Sequence, residues 1–502
     1  MAGSETAGNE TAGSKRLSEL GLKARQGRDP LLTGITLDSR AVRPGTLFAA
    51  LPGTIRHGAD FIATALAQGA AAILTDAIGA VIASDALGAS QAALVVADDP
   101  REALAYAAAL WFGAQPETMV AVTGTNGKTS VATFTRQIWA ALGHEAINIG
   151  TTGIEGAWSA PSSHTTPDPV TLHRMLAQTA AAGVTHAAME ASSHGLDQRR
   201  LEGVRLKAAG FTNLTQDHLD YHHTMQAYLA AKAGLFTRLL PEDAVAVVNL
   251  DGAHASEIVE LALGRGLRVL TTGTGQGADL RISAIRPDAT GQEVRYLWQG
   301  RAFQTRLNLI GGFQAENVAV AAGLAIAAGD PPEAVLATLP RLTGVRGRMQ
   351  LAATRANGAS VFVDYAHTPD AVATALRALR PHVMGRLIIA FGAGGDRDTT
   401  KRPLMGAAAR DNADVIFVTD DNPRSEDPAT IRQAILTACP EASEVGDRAE
   451  AILRAVDALQ PGDALLIAGK GHETGQVIKG DIFPFDDVEQ ASIAVAALDG
   501  VI

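Results

Sequence analysis

Residues 120–130 of this 502-residue chain read Val-Ala-Val-Thr-Gly-Thr-Asn-Gly-Lys-Thr-Ser. A short apolar run with β-branched residues leads into a loop with two glycines, and a Lys-Thr pair then opens a helix predicted over 130–142. The backbone N–H groups of 124–128 and the positive end of the helix dipole would point at an anion. Lys128 would add a full charge, and Thr129 a hydroxyl ligand for magnesium. The stretch therefore predicts a nucleotide-phosphate loop at the end of a strand.

This loop is shorter than the general P-loop pattern. Only Thr125 and Asn126 separate Gly124 from the Gly-Lys pair, and Val122 stands where the earlier glycine would be. An ordinary strand-to-helix turn is the alternative, because glycine is common before a helix. A Gly-Lys-Thr placed between a clean strand and a helix favours phosphate binding.

Length and composition limit the classes of protein. At about 150 residues per domain, the length predicts about three domains. The net charge of −11 argues against non-specific nucleic-acid binding, so a few placed Arg and Lys residues must meet anionic substrates. Cys439 is the single cysteine, which excludes a disulfide framework and a Cys-based metal site and fits a reducing cytosol.

The N-terminus and the alanine-rich region have no sign of targeting to a membrane. Residues 1–14 lack the basic start and apolar core of a signal peptide, so we expect a disordered tail. Charged and amide residues interrupt the stretch 63–96, which therefore cannot cross a bilayer. We expect a cytoplasmic protein with no nucleic-acid partner and no membrane insertion.

Composition divides the rest of the chain into blocks at 15–97, 98–345 and 346–502. The second block has apolar strands predicted at 187–189 and 244–248. The third repeats one plan, with helices between strands predicted at 361–364, 387–391, 415–419 and 464–468. Alternating strands and helices predict an α/β fold with parallel sheets and ligands at the carboxyl ends of the strands.

Glu190 follows one of the predicted strands directly. A carboxylate at the end of a parallel strand beside a phosphate loop is well placed to hold magnesium next to Thr129. A surface glutamate is the alternative, and the sequence leaves both open.

Histidines and a lysine of the second block suggest further chemistry. His218, Asp220 and His222 alternate, as ligands of a zinc hydrolase on a strand would. Asp217-His218 has the composition of a turn, so one histidine near magnesium is the more modest interpretation. Lys232 has an apolar neighbourhood, and burial would lower its pKa. From the residues alone, a lysine that extends its ammonium group into solvent is the simpler interpretation.

Two arginines of the third block suit carboxylate recognition. Arg397 and Arg424 follow successive predicted strands, and two solvated arginines are the alternative. Residues 392–397 suggest a dinucleotide fingerprint, but its third glycine would fall at Arg397, which disfavours NAD.

Taken in order, eight motifs resemble those of the Mur ligases, ATP-dependent amide-forming enzymes of peptidoglycan assembly. They lie at 123–130, 164–168, 189–196, 213–222, 363–370, 394–398, 421–424 and 469–473. The short phosphate loop is the form that this family uses. The resemblance implies a small N-terminal α/β domain (15–97), a central P-loop ATPase-type parallel-sheet domain (98–345) and a C-terminal Rossmann-like α/β domain (346–502).

Within the family, the chain resembles members that add meso-2,6-diaminopimelate to UDP-N-acetylmuramoyl-L-alanyl-D-glutamate through an acyl phosphate. Their third-substrate motif is present as Asp421-Asn422-Pro423-Arg424. Diaminopimelate has a second carboxylate that lysine lacks, and a guanidinium can hold it bidentately. The alternatives are the lysine-adding ligase, folylpolyglutamate and cyanophycin-type relatives, and more remotely a P-loop nucleotide switch or the zinc hydrolase.

The resemblance also implies a role for each matching residue. Catalytic roles fall to Lys128, Lys232, Glu190 and His218, and the magnesium ligands are Thr129, Glu190, His218 and Lys232 as a carbamate. ATP would bind Gly124, Thr125, Asn126, Gly127, Lys128, Thr129, Ser130, Asn317, Arg348 and Asp364. The UDP-dipeptide would bind Leu37, Ser39, Thr54, Ile55, Arg56, His164, Thr165, Thr166, Ser192, Gln198 and Arg200. Diaminopimelate would bind Arg397, Asp421, Asn422, Pro423, Arg424, Gly469 and Glu473. Gln314 and Ala393 depart from the family's usual Asn and Cys, and a monomer is expected.

Overall fold

The computed structural model describes residues 13–53, 56–162, 164–288 and 290–501, with Asp220 described by its backbone alone. Most of the predicted tail (1–12) and the predicted substrate contacts Thr54 and Ile55 lie outside the described residues. The chain forms two compact units. The first contains 1–128, 143–248 and 254–269, and the second contains 129–142, 249–253 and 270–502.

The N-terminal part of the first unit is a small α/β layer. Its strands are β1 (Lys15–Arg16), β2 (Leu31–Leu32), β3 (Gly34–Thr36), β4 (Thr46–Ala49), β5 (Ala72–Thr75) and β6 (Ala93–Val96), and its helices are α1 (Ile62–Ala67), α2 (Ala77–Ile82), α3 (Ser84–Gly88) and α4 (Pro100–Phe112). Strands β3 to β6 form a four-stranded parallel sheet in chain order.

The central region alternates strands and helices. Its strands are β7 (Thr118–Thr123), β8 (Ala146–Gly150), β9 (Gly153–Gly156), β10 (His186–Glu190), β11 (Leu206–Phe211), β12 (Val245–Asn249), β13 (Arg268–Gly273), β14 (Leu280–Asp288), β15 (Gly291–Trp298) and β16 (Arg301–Leu307). Its helices are α5 (Lys128–Leu142), α6 (Pro169–Ala181), α7 (Ser193–Asp197), α8 (Leu219–His222), α9 (Met225–Gly234), α10 (Ala255–Gly264), α11 (Phe313–Ala328) and α12 (Pro332–Thr338).

In the first unit, the strand order β11-β7-β10-β8 is parallel throughout, and β9 adds an antiparallel edge. Strands β7 and β10 are buried along almost their whole length, as strands of a parallel sheet covered on both faces are. The predicted strands 187–189 and 244–248 are confirmed, with small shifts at their ends. In the second unit, β14, β15 and β16 form an antiparallel meander that the sequence patterns do not predict.

The C-terminal region of the second unit is a six-stranded sheet with helices on both faces. Its strands are β17 (Gln350–Thr354), β18 (Ser360–Asp364), β19 (Leu387–Phe391), β20 (Val415–Val418), β21 (Ser443–Glu444) and β22 (Ala464–Ala468), followed by the hairpin β23 (Gly475–Ile478) and β24 (Asp481–Pro484). Its helices are α13 (Pro369–Leu379), α14 (Lys401–Asn412), α15 (Pro428–Leu436), α16 (Arg448–Asp457) and α17 (Asp487–Leu498).

The four strands predicted in this region are confirmed, and their order brings three loops together. The sheet order is β17-β18-β22-β19-β20-β21, parallel from β18 onward. The loops at 392–400, 419–427 and 469–474 therefore leave from neighbouring strands at the same carboxyl edge. Among the helices of the described residues, none combines the length and the apolar content that crossing a bilayer requires.

Candidate active site

The phosphate loop of the first unit connects β7 to the first residue of α5. Gly124 has a φ of 146° and Gly127 a φ of 87°, values that residues with a side chain rarely adopt. A Cβ on Gly124 would collide with the hydroxyl of Thr212. The amide of Thr125 donates to the Asn213 carbonyl at 2.9 Å, and the Thr212 hydroxyl donates to the Asn126 carbonyl at 2.6 Å. Hydrogen bonds to the segment after β11 thus fix the conformation of the loop.

Two lysine ammonium groups meet at this loop. Lys128 Nζ donates to the carbonyls of Gly124 at 2.9 Å and Thr125 at 2.8 Å. Lys232 Nζ donates to the same Gly124 carbonyl at 2.7 Å. A strand end with the Lys128 ammonium group and a helix N-terminus favours a polyanionic ligand such as a nucleotide phosphate.

Lys232 is buried, with 1% of its surface exposed. Its Nζ lies 4.5 Å from the centroid of the Tyr228 ring. Burial, followed by the nearby Lys128 charge, holds the pKa of Lys232 well below its usual range. The simpler interpretation from the sequence, an ammonium group in solvent, is therefore wrong. Helix α9 turns the side chain inward against the loop, and the lowered pKa favours the neutral, nucleophilic form of the amine.

Glu190 is the last residue of β10, next to β7 in the sheet. Its register partner on β7 is Val122, two residues before Gly124. The side chain is 1% exposed, and Oε1 accepts the Thr151 amide at 2.8 Å. The alternative of a surface glutamate is therefore wrong. The carboxylate is held at the same edge of the sheet as the phosphate loop.

His218 is close to both lysines of the loop. The side chain is 46% exposed, yet partial desolvation of the ring lowers its pKa to about 4. The Asp217 carboxylate opposes this shift, and the charges of Lys128 and Lys232 add to it. A neutral imidazole can act as a metal ligand. The zinc-hydrolase alternative needed a strand here, whereas residues 219–222 form the helical turn α8 and His218 has a φ of 52°. Within the described part of the chain, no group of three or more His, Cys, Asp or Glu residues could hold a metal.

Four of the eleven residues expected to bind the UDP-dipeptide form one hydrogen-bonded network in the first unit. The Thr166 hydroxyl donates to the Glu190 carbonyl at 3.0 Å and accepts the Ser192 amide at 3.0 Å. Arg200 donates to the Thr166 carbonyl at 2.6 Å and to Gln198 Oε1 at 2.7 Å. This network connects the predicted dipeptide residues directly to the backbone of Glu190.

The other predicted dipeptide contacts lie around this network or farther away in sequence. Thr165 pairs its hydroxyl with that of Thr151 at 3.0 Å, and His164 is exposed beside it. In the N-terminal layer, Leu37 is 40% exposed, and Ser39 begins a short 3-10 turn capped by Asp38. Arg56 is exposed. These positions leave polar groups accessible to a ligand.

In the second unit, Arg348 interacts with two other residues predicted to bind the nucleotide, Thr129 and Asp364. Its guanidinium donates to the Thr129 hydroxyl at 3.4 Å and lies 4.6 Å above the Tyr365 ring. Asp364 accepts the amides of Met349 at 2.7 Å and Ala366 at 2.9 Å. Burial raises the pKa of Asp364, although Arg348 opposes the shift. Asn317 lies apart from these residues on α11, where its amide donates to Gln314 at 3.1 Å.

The three loops of the C-terminal sheet carry the residues expected to bind diaminopimelate. Arg424 is half-buried, has a φ of 51°, and donates to the Gly395 carbonyl at 2.7 Å. Its backbone pairs with the β23–β24 hairpin at Val477 and Lys479. Arg397 is exposed on the neighbouring loop. The alternative of two solvated arginines is therefore wrong for Arg424, whose guanidinium is anchored.

Asp421, Asn422 and Glu473 lie close together on two of these loops. Asp421 and Asn422 are buried, with Pro423 between them and Arg424. Asn422 Nδ2 donates to Glu473 Oε2 at 2.9 Å. Gly469 has a φ of 117°, and a Cβ there would collide with the Asp421 carboxylate. A glycine at 469 thus lets the two loops approach.

Two buried cations of this region were missed by reasoning from the sequence. Lys470 lies inside the 469–473 motif and donates to Asn422 Oδ1 at 3.0 Å. Arg448, on α16, pairs with Asp487 at 2.7 Å and donates to the Ala468 carbonyl at 3.0 Å. Both side chains are fully buried. The motif was a signal for Lys470, whereas nothing near Arg448 in sequence distinguishes it from a surface arginine.

Comparison with known proteins identifies the family of this chain. The model described as "Mur ligase family, catalytic domain" matches residues 31–111. The Mur ligase middle domain matches 122–325, and the Mur ligase glutamate ligase domain matches 347–471. The chain belongs to the Mur ligase family and is an ATP-dependent ligase that forms amide bonds.

Two of its similar relatives carry the same name. The chain is 50% identical to the UDP-N-acetylmuramoyl-L-alanyl-D-glutamate–2,6-diaminopimelate ligase of Bradyrhizobium diazoefficiens over 470 residues, 93% of this chain and 95% of the relative. It is also 50% identical to the ligase of the same name from Caulobacter vibrioides over 495 residues, 97% of this chain and 99% of the relative.

Solved structures agree on the fold. A structure of a ligase with that name aligns with a TM-score of 0.70 at 35% identity and covers 97% of this chain and 99% of its own. MurF from Acinetobacter baumannii aligns with a TM-score of 0.63 at 19% identity and covers 91% of this chain and 96% of its own. The predicted three-domain α/β fold class is confirmed.

Proposed function

We propose that this protein adds meso-2,6-diaminopimelate to UDP-N-acetylmuramoyl-L-alanyl-D-glutamate, with ATP as co-substrate, in cytoplasmic synthesis of peptidoglycan precursors. The observation that carries the proposal is identity of 50% over nearly the whole chain to ligases of that name. We assign the three domains to 15–97, 98–345 and 346–502, and we expect a monomer.

ATP is assigned to the residues that the sequence predicts to bind it. Gly124 to Ser130 would bind the phosphates, with Lys128 as the cation next to the transferring group. Arg348, Asp364 and Asn317 would bind the rest of the nucleotide. The position of Arg348 over the Tyr365 ring and beside the Thr129 hydroxyl supports this assignment.

Magnesium is the expected metal, and the residues present fit it. Magnesium takes one or two carboxylates together with water and substrate phosphate oxygens, so it needs no preformed cage of acids. Glu190 offers a carboxylate at the loop edge, Thr129 a hydroxyl and His218 a neutral imidazole. Lys232 would offer a carbamate, and its lowered pKa supports that chemistry. When bound, magnesium would offset charge on the β- and γ-phosphates.

The UDP-dipeptide is assigned to the predicted contacts in the first unit. Thr165, Thr166, Ser192, Gln198 and Arg200 would hold the dipeptide, and the hydrogen bonds among them support a shared site. His164 would extend this site, and Leu37, Ser39, Thr54, Ile55 and Arg56 would contact the uridine end.

Diaminopimelate is assigned to the three C-terminal loops. Arg424 and Arg397 would hold the carboxylate that distinguishes diaminopimelate from lysine. Asp421, Asn422, Pro423, Gly469 and Glu473 complete this set. The location of these residues at one carboxyl edge of the sheet supports the assignment.

The reaction requires two transfers. The γ-carboxylate of the D-glutamate attacks the γ-phosphorus of ATP, which breaks the bond to ADP and forms an acyl phosphate. Lys128 offsets charge on the transferring phosphoryl group. The diaminopimelate amine then attacks the acyl carbon, and inorganic phosphate leaves as the amine loses a proton. The products are the amide, ADP and phosphate.

A substrate-substitution experiment tests this function. Purified protein receives ATP, magnesium and the UDP-dipeptide, and phosphate release is measured with meso-diaminopimelate or with L-lysine. We expect release with diaminopimelate and little with lysine. Equal or greater release with lysine would favour the lysine-adding alternative, and release without either amino acid would favour a nucleotide switch.

A further inference from the structure

Lys470 is a buried cation to which no role has been assigned. It follows β22, and none of its side chain is exposed. Its Nζ donates to Asn422 Oδ1 at 3.0 Å and lies 3.5 Å from Glu473 Oε2. Burial lowers the pKa of Lys470, and the neighbouring carboxylate of Asp421 opposes that shift. Burying an ammonium group is costly, so its partners must compensate for the lost hydration.

Lys470 completes a triangle of polar side chains. Asn422 Nδ2 donates to Glu473 Oε2, and Asn422 Oδ1 accepts both Lys470 Nζ and the Val477 amide. The oxygen of the Asn422 amide is thus used twice within the protein. Its orientation is therefore set by Lys470 and by strand β23, before any ligand arrives.

Other charged groups also act on Lys470. They are Asp421 on the same loop as Asn422, Arg448 on α16 and Asp487 on α17. The neutral Tyr365 hydroxyl after β18 lies near Asp421 and Glu473. Arg448 is bound to Asp487 through two hydrogen bonds of 2.7 Å. Because Arg448 has its own carboxylate partner, Lys470 is the cation that pairs with Glu473.

We propose that Lys470 is a positioning residue for the amino-acid substrate. Its ammonium group fixes the Asn422 amide and the Glu473 carboxylate in the orientation that receives an amino-acid centre of diaminopimelate. The inference rests on the proposed function, because it assumes that Asn422 and Glu473 bind this substrate. Lys470 itself is fully buried and would act on the substrate through these two side chains.

The direction of the change in the KM for diaminopimelate distinguishes positioning by Lys470 from a direct electrostatic effect of its charge. The Lys470 ammonium repels the ammonium groups of diaminopimelate, so loss of its charge alone would lower the KM for this substrate. Loss of positioning would raise it. A charge-assisted hydrogen bond to a buried group corresponds to a change of about 10-fold or more.

The experiment compares Lys470→Met, Lys470→Gln and Lys470→Arg with the exposed control Lys23→Met. We expect Lys470→Met to raise the KM for diaminopimelate about 10-fold or more, with KM for ATP and for the UDP-dipeptide within about 2-fold. The Lys470→Gln side chain can still donate to Asn422 Oδ1, and Lys470→Arg keeps the positive charge. Each of these variants should therefore raise the KM for diaminopimelate less than Lys470→Met does. Lys23→Met should behave as wild type.

Rescue by the conservative variant is the second measurement. A positioning role predicts a smaller rise in the KM for diaminopimelate in Lys470→Arg, which keeps a charged donor, than in Lys470→Met. If circular dichroism shows that Lys470→Met does not fold, the KM values of Lys470→Gln and Lys470→Arg for diaminopimelate test the positioning role instead.

Two results would overturn the inference. The first is a KM for diaminopimelate that falls or is unchanged in folded variants, and the second is an equal rise in KM for all three substrates. A wild-type enzyme that releases no phosphate with diaminopimelate would instead refute the proposed function, so the two failures are distinguishable.

Discussion

Lys232 has two properties that a surface lysine lacks, burial and a hydrogen bond to the phosphate loop. Burial lowers its pKa and so favours the neutral amine, which can attack carbon dioxide to form a carbamate with loss of a proton. We expect Lys232→Ala to lower the rate of ADP release about 100-fold or more, because a charged group beside the transferring phosphoryl is lost. A coupled assay with all three substrates measures this rate.

A rescue experiment makes that test specific for a carbamate. Formate or acetate, which supply a free carboxylate, should restore part of the activity of Lys232→Ala as their concentration increases. They should not restore Lys128→Ala, whose missing group is a cation. Lys207→Ala, at an exposed position on β11, is the matched control and should keep wild-type activity. Full activity of Lys232→Ala without added carboxylate would contradict the carbamate.

Arg424 tests the choice between diaminopimelate and lysine. Lysine at this position keeps the positive charge but loses the planar fork that grips a carboxylate through two hydrogen bonds. We expect Arg424→Lys to raise the KM for diaminopimelate about 10- to 100-fold, with a much smaller effect on the KM for ATP. Arg377→Lys, at an exposed position on α13, is the control. An unchanged KM for diaminopimelate would refute the assigned role.

At the scale of elements, the phosphate loop depends on a backbone shape that only glycine tolerates. Ala at 124 would need a φ near 146° and would place its Cβ against the Thr212 hydroxyl. We expect Gly124→Ala to abolish detectable ATP binding by calorimetry. Gly264→Ala at the end of α10 meets no atom within 4 Å and should bind ATP as wild type does. Normal ATP affinity of Gly124→Ala would show that the loop does not bind phosphate.

The sequence predicts elements well where one physical pattern dominates. The buried parallel strands β10, β19 and β22 are continuous apolar runs, and their predicted bounds hold to within a residue. The antiparallel strands β14 to β16 mix exposed charged residues with buried ones, so they give no comparable apolar run. Their pairing depends on partners in the folded chain, which a local pattern does not contain.

At the scale of the whole molecule, the site depends on contacts between distant segments. Motifs gave the candidate residues, yet the hydrogen bond of Lys232 to Gly124 joins residues 108 positions apart. Its burial reversed the interpretation that the residues alone favoured. The pairing of Arg448 with Asp487, 39 positions away, likewise has no local signal. Residue identity suggested candidate chemistry, whereas burial and partner choice required the fold.

Labelling of the single cysteine with a thiol reagent would measure local opening of the C-terminal sheet. Cys439 packs in the core of that sheet with Ile431, Ile435 and Met405, and burial raises the pKa of its thiol to about 11. Thiol reagents attack the thiolate, so at pH 8 the raised pKa alone slows labelling about 100-fold or more relative to an unfolded chain. We expect labelling that becomes faster with pH and that rises with denaturant in step with loss of circular dichroism. Rapid labelling in native buffer would contradict this packing, and Cys439→Ser, which should not label at all, is the control.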